Sequence, residues 1–196
     1  MHRLTTAVAV LAITLATGCE APTAADPPPA LPPTTAPAPP AAVVYGKTIE
    51  ERYPAKVVRI VDGDTLVVLN DANEQIKIRL EGIDTPEKGQ PFGTKAKDML
   101  GDLTFGKTAT VAVTGQDWFG RTLGYIIADG VNANAAMIEN GMAWHYVKYN
   151  KDEELAALQQ QTQAVGLGLW ADANPVAPWD WRAQKREEAK AKKQQQ

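Results

Sequence analysis

Cysteine and histidine are almost missing from this sequence, and their scarcity removes whole classes of chemistry. One Cys, Cys19, lies near the start of the 196 residues. That leaves no internal disulfide, no Cys-based zinc site and no thiol nucleophile in the body of the chain. Of the two His, His2 and His145, the first falls in a segment expected to be cleaved off, so neither a His-based triad nor a His metal cluster is expected. His145, inside the aromatic stretch WHYVKY, is read as packed rather than catalytic. A strong bias of charge is lacking too: 20 Lys plus Arg stand against 23 Asp plus Glu, a net charge of −3. With 44% apolar and 22% charged residues the composition is that of an ordinary globular chain, enough for one domain with appendages and too little for two full domains.

The first apolar stretch, from about Ala7 to Ala16, is too short to span a membrane comfortably. Arg3 precedes it and the small residues Ala16, Thr17 and Gly18 follow, the layout of a secretory signal peptide over residues 1–18. The run into Cys19 resembles the lipobox of bacterial lipoproteins, in which the Cys is acylated and becomes the mature N-terminus. Ala16 stands where Leu is usual, with Leu15 one place earlier. Lipid attachment at Cys19 is therefore expected, and a plain cleaved signal with an incidental Cys is the alternative; stable anchoring takes two acyl chains or more. From Ala21 to about Ala42 a Pro/Ala/Thr tract cannot bury a core and favours extended polyproline II, so residues 19–52 are read as a tether.

The globular domain is expected over residues 53–174. Two β-branched runs, Lys56 to Val61 and Thr65 to Leu69, flank Asp62, Gly63 and Asp64, a hairpin signal. Asn70 to Asn73 turns the chain into an alternating strand from Gln75 to Leu80. FGTKAKDMLGDL fits a short helix with Ala96, Met99, Leu100 and Leu103 on one side and Thr94 as a possible cap. Two further strands, Lys107 to Thr114 and Thr122 to Ile127, precede helices at about Asn134 to Asn140 and Lys151 to Val165. The expected architecture is a β-barrel with helices (α+β): a five-stranded OB-fold Greek-key barrel with about three α-helices.

Carboxylates and Arg are then the remaining carriers of chemistry. If the hairpin of the second and third strands turns around Ala72, Asp64 lies across from Leu80 and beside Arg79. Asp84, Thr85 and Glu87 follow within a few residues. Asp64, Arg79, Asp84 and Glu87 can thus meet at one end of the sheet. Two close carboxylates repel unless a cation or proton intervenes, which points to a hard, oxygen-binding ion such as Ca²⁺ or Mg²⁺. An Arg in the same mouth suits the partner of such an ion, a phosphate. Taken singly, DGDT is only a turn, Arg79 an ion-pair residue and Asp84 a turn cap; the conjunction carries the argument.

VDGDT at 61–65, IRL at 78–80, IDTPE at 83–87, and FGR followed by LGYI at 119–126 are similar, in order and spacing, to the motifs of the thermonuclease, or staphylococcal nuclease-like, family. The resemblance runs from about Lys56 to Asp172. It implies an OB-fold barrel and a Ca²⁺-dependent (rather than Mg²⁺-dependent) nuclease acting on DNA and RNA, with single-stranded or denatured substrates preferred and 3′-phosphate ends left. By motif, Asp64 and Asp84 would bind Ca²⁺ through their carboxylates and Thr85 through its backbone carbonyl, with Asp62 behind them. Glu87 would orient or deprotonate the attacking water, Arg79 would bind the phosphate, and Arg121 would contact the phosphate and the developing charge. The family's nucleotide-bounding tyrosines fall near WHYVKY, where Tyr146 and Tyr149 compete and Tyr146 is preferred. Trp118 and Phe119 are either base-stacking platforms or loop packing.

Residues 43–181 hold 13 Lys plus Arg and 19 Asp plus Glu, unfavourable for broad polyanion binding. Affinity must then come from the metal and a local Arg pair. From Arg182 onward six basic residues outnumber two acidic ones; this tail is read as a solvated helix with Glu–Lys pairs, with attraction to nucleic acid or anionic headgroups as the alternative. Trp179 and Trp181, beside Pro175 and Pro178, are expected to dock the segment 175–196 on the barrel. The whole reads as an exported monomeric nuclease, tethered to the membrane if Cys19 is acylated and secreted if not. Its rival is a nuclease-like OB domain that has lost its chemistry and only binds single strands or a protein partner at the cell envelope. A pure binder needs no Glu87 beside Asp84. A structural envelope lipoprotein would explain the tether but not the site.

Overall fold

Five strands carry the fold in a computed structural model that describes residues 43–195. They are β1 (Glu51–Ile60), β2 (Thr65–Leu69), β3 (Gln75–Leu80), β4 (Thr108–Gln116) and β5 (Thr122–Ala128). The expected signal peptide, Cys19 and the tether up to residue 42 lie outside the described residues. The order across the sheet is β3-β2-β1-β4-β5, and β3 pairs with β5 to close a barrel. Neighbours along that order are antiparallel, so strands four steps apart point the same way and the closing pair must be parallel. The expected five-stranded OB-type barrel is present, and its sheet is mixed.

Alternation places Ile76, Ile78 and Leu80 of β3 toward the interior and Lys77 and Arg79 away from it. Val57, Leu66, Val68, Ile78, Leu80, Val111 and Ile126 fill the barrel. Four α-helices surround it rather than three: α1 (Gly93–Thr104), α2 (Ala133–Glu139), α3 (Glu153–Ala164) and α4 (Pro178–Gln194). Ala96 and Leu100 of α1, Met137 and Ile138 of α2 and Leu155 of α3 join the same core. Asn132 caps α2 and Asp152 caps α3, each carboxamide or carboxylate oxygen accepting two backbone N–H groups of the first turn. Thr94 does not cap α1: the helix starts at Gly93, after Phe92 in the left-handed region (φ 68°), and no side chain caps it.

One further boundary differs from expectation. The stretch 43–52, read as tether, belongs to the fold: a small hairpin pairs Val43–Val44 with Lys47–Thr48, and Ile49 is buried with Ala112 and Tyr125 in a second small core. Asn150 secures it by donating to the Tyr45 carbonyl (3.1 Å) and to the Tyr125 hydroxyl (3.2 Å). The C-terminal helix α4 is solvated over most of its length, but its first turn is docked. Trp179 stacks on Tyr146 with ring centroids 5.3 Å apart and planes 5° apart, and meets Trp144 edge-on at 5.6 Å. Trp181 takes no part in that cluster; Lys185 lies over its ring. No helix among the described residues is long and apolar enough to cross a membrane.

Candidate active site

The turn between β1 and β2 delivers the first carboxylates. Val61 and Asp62 donate backbone N–H groups to the Thr65 carbonyl, and the Asp62 carboxylate accepts the Asp64 N–H at 3.1 Å. In the β2/β3 hairpin Thr65 pairs with Arg79, and Leu80 donates its N–H to the Asp64 carbonyl at 2.8 Å. The pairing derived from a turn at Ala72 is the one observed. Gly63 permits a close approach from the other side: a Cβ there would stand 2.7 Å from Thr85 Oγ1 and 2.8 Å from Ala96 Cβ. That contact lets Asp64 Oδ2 accept both the N–H and the hydroxyl of Thr85, each at 3.0 Å.

Asp84 is brought in by a short antiparallel bridge, Ile83–Asp84 against Trp144–His145. Arg79 then ties the acids together. Its Nη1 donates to the carbonyls of Leu80 and Ile83, both at 2.9 Å, while Nη2 lies 3.0 Å from Asp84 Oδ1 and 3.1 Å from Asp64 Oδ2. Glu87 sits at the rim, its backbone fixed by Gln90: the Glu87 N–H donates to Gln90 Oε1 (3.0 Å) and its carbonyl accepts the Gln90 N–H (2.9 Å). A Cβ on Gly93 would collide with the Glu87 carbonyl, so glycine at the start of α1 holds that loop close.

Electrostatically the cluster is short of positive charge. Burial, reinforced by the neighbouring charge of Asp64, pushes the Asp62 carboxyl up to about 6. Burial also raises Asp84, against the bonds and charges of Arg182 and Arg79. Asp64 Oδ2 and Asp84 Oδ1, both on buried residues, share Arg79 Nη2. Such hard oxygen donors fit Ca²⁺ or Mg²⁺. Among the described residues no three His, Cys, Asp or Glu side chains form a metal-holding group, so backbone oxygens and water would complete the shell.

Two site residues escaped the sequence reading. Arg182, on α4, grips Asp84 with both terminal nitrogens (Nη1 to Oδ1 3.2 Å, Nη2 to Oδ2 2.6 Å) and reaches Glu87 Oε1 from Nη1 at 2.7 Å. Burial works against its charge, yet the bonds to Asp84 and Glu87 hold the guanidinium even more firmly protonated than usual. Gln90, itself buried, donates from Nε2 to the Val176 carbonyl at 2.7 Å and so joins the Glu87 loop to the segment that leads into α4. The only sequence signal was the Pro/Trp punctuation around residues 175–181, which implied docking but not where.

Asp62, Asp64, Arg79, Asp84, Thr85 and Glu87 therefore come together as expected. Arg121 does not join them. Its Nε donates to Asp117 Oδ2 at 2.6 Å within its own loop, and Asp117 Oδ1 also accepts the N–H groups of Phe119 and Arg121, both at 2.9 Å. Trp118 and Phe119 on that loop are 96% and 83% exposed, so they are not loop packing. Tyr146 has one face covered by Trp179 and meets Tyr149 edge-on at 4.8 Å; Tyr149 is the exposed one of the pair. His145 is buried, and neither ring nitrogen has a hydrogen-bond partner among the described residues, consistent with a packing role.

A closed OB-type barrel with acidic and guanidinium groups gathered at one mouth defines a nuclease-type domain. Residues 77–172 match the Staphylococcal nuclease homologue family. An uncharacterized endonuclease of Haemophilus influenzae is 44% identical over 136 residues, which cover 69% of this chain and 76% of that protein. Another from Escherichia coli O157:H7 is 46% identical over 131 residues, 66% of this chain and 85% of the relative. A micrococcal nuclease of Shigella flexneri is 40% identical over 141 residues, 66% and 80% of the two chains. This chain belongs to the staphylococcal nuclease homologue family.

Proposed function

We propose that the protein is a Ca²⁺-dependent nuclease that hydrolyses phosphodiester bonds of DNA and RNA outside the cytoplasm and leaves 3′-phosphate ends. One observation carries the reading: Asp64 and Asp84 converge on Arg79, and Arg182 joins Glu87 to Asp84, at one mouth of a nuclease-type barrel. Asp64, Asp84 and Thr85 would hold the ion, with Asp62 bracing their turn. When bound, Ca²⁺ supplies Lewis acidity at a non-bridging phosphate oxygen. Glu87, at the solvent rim, orients the attacking water and receives its proton. The water oxygen bonds to phosphorus as the bond from phosphorus to O5′ breaks, and O5′ takes a proton from solvent and leaves as a hydroxyl.

Guanidinium groups stabilise the negative charge that builds on the phosphate oxygens. Arg79 is braced for this by the Leu80 and Ile83 carbonyls, and Arg121 reaches a bound strand with the Nη groups that Asp117 leaves unengaged. Unpaired bases stack on the exposed Trp118, Phe119 and Tyr149 rings, which favours single-stranded substrate. Export through residues 1–18, with lipid attachment at Cys19, would place this chemistry at the cell envelope on a Pro-rich tether. The test is cleavage of end-labelled single-stranded DNA and RNA with Ca²⁺, with Mg²⁺ and with chelator, followed by analysis of the product ends. Ca²⁺-dependent release of 3′-phosphate fragments supports the reading; cleavage that survives chelation or leaves 5′-phosphates contradicts it.

A further inference from the structure

Arg182 is held in a way that leaves one of its two forks open. A guanidinium carries five N–H donors in a fixed plane. In Arg182 the end-on pair, one hydrogen each from Nη1 and Nη2, clasps Asp84 Oδ1 and Oδ2, and the second Nη1 hydrogen goes to Glu87 Oε1. The Nε–H and the second Nη2–H make no hydrogen bond to any of the described residues. Those two donors are parallel and form the side-on fork, whose spacing matches two oxygens of one oxyanion. The Arg182 side chain is 33% exposed, whereas the Asp84 side chain beneath it is 2% exposed, so the guanidinium stands between the buried acid and solvent.

Arg79 has no comparable edge. Both of its terminal nitrogens are engaged by the protein, and its side chain is only 11% exposed. Arg121 is held in its own loop by Asp117. Of the three, Arg182 alone combines direct contact with Asp84 and Glu87 with an unfilled fork. Its position is also well fixed. Trp179, one turn earlier on α4, stacks on Tyr146; Pro178 is buried; and Gln90 binds the Val176 carbonyl. Such an anchor keeps the guanidinium in the mouth and lowers the ordering cost of binding.

We propose that Arg182 is a phosphate-binding residue of this site, receiving a nucleotidyl phosphate on its Nε and Nη2 edge while Asp84 and Glu87 hold the opposite edge. The proposal rests on the nuclease reading and adds to it a residue outside the matched span 77–172. It also gives α4 a purpose: the helix carries a substrate-binding group back across the barrel mouth.

The experiment compares the wild-type full-length protein with Arg182→Gln, Arg182→Lys and Arg182→Ala. A 5′-phosphorylated mononucleotide, which has no internucleotide bond to cut, is titrated by calorimetry in the presence of Ca²⁺. Loss of a charge-assisted pair predicts about 10- to 100-fold weaker binding in Arg182→Gln, with Arg182→Lys intermediate because an ammonium cannot fork. On single-stranded DNA the Arg182→Ala variant is expected to lose kcat/KM and to regain part of it when millimolar guanidinium is added, a rescue that a merely structural residue would not show. Unchanged melting temperature and circular dichroism separate this from misfolding. Equal mononucleotide affinity in wild type and Arg182→Gln overturns the proposal. So do tighter Ca²⁺ binding and faster turnover in Arg182→Gln, which would make Arg182 a plug in the ion site. If the wild-type protein binds the mononucleotide but cuts nothing, the nuclease reading fails while the binding comparison still decides the role of Arg182.

Discussion

At the scale of single residues the site is a problem of charge compensation. Arg79 binds two buried carboxylates and two carbonyls at once, so it is structural as well as electrostatic. Replacing it with Gln leaves Asp64 and Asp84 under-compensated, and a loss of about 3–5 kcal/mol is expected in urea unfolding. Millimolar Ca²⁺ should recover part of that loss, because a bound cation neutralises the same oxygens. His145 offers a pH test. Burial pushes its imidazolium down from the ordinary range, so the unfolded chain takes up the proton first as pH falls. The stability tied to neutral His145 is therefore complete above about pH 6.5 and is lost as pH drops through the folded value. Asp62, raised to about 6, runs the other way: its burial disfavours the folded state as pH rises from about 4 to 6. The difference between wild type and His145→Phe isolates the histidine, and the variant should lose less stability between pH 7.5 and 5.5. An identical pH profile for the two proteins would contradict the account.

At the scale of elements, close approaches fix the site. Gly63→Ala would drive a methyl group into Thr85 and Ala96, costing about 1–3 kcal/mol and moving Thr85 off Asp64, so both melting temperature and turnover should fall. Gln90→Leu removes the bonds that connect the Glu87 backbone with Val176. It is expected to cost about 1–3 kcal/mol and to reduce kcat more than KM, as a displaced Glu87 would. Much at this scale was legible in advance. Turn residues bounded the five strands, and a turn at Ala72 sufficed to put Asp64 beside Arg79, because hairpin register is a local matter. Thr94 misled because the backbone of α1 is set by the packing of Gly93 against the Glu87 loop rather than by a side-chain cap. The partnership of Arg182 with Asp84 spans 98 residues. Nothing in its exposed-looking surroundings, DWRAQKREEAK, distinguishes a site arginine from a solvated one.

On the whole-molecule scale, charge is divided between an acidic barrel and a basic α4. If a strand is held mainly by two or three Arg at the barrel mouth, single-strand affinity should fall with salt at a log–log slope of only about −2. A slope of −4 or steeper would mean that the Lys-rich end of α4 takes the strand as a polyanion. The order of the five strands, each antiparallel to its neighbour, forces a parallel closure, and the closed barrel carries its acidic and guanidinium groups at one rim. The most direct test of the central claim, that this rim is a hydrolytic site, is single-stranded DNA cleavage by wild type and Glu87→Gln side by side, with strand binding measured on both. Turnover is expected to be lower by about 10²–10⁴-fold in the variant with binding within a few-fold of wild type; equal turnover in the two proteins would contradict a hydrolytic role for this rim.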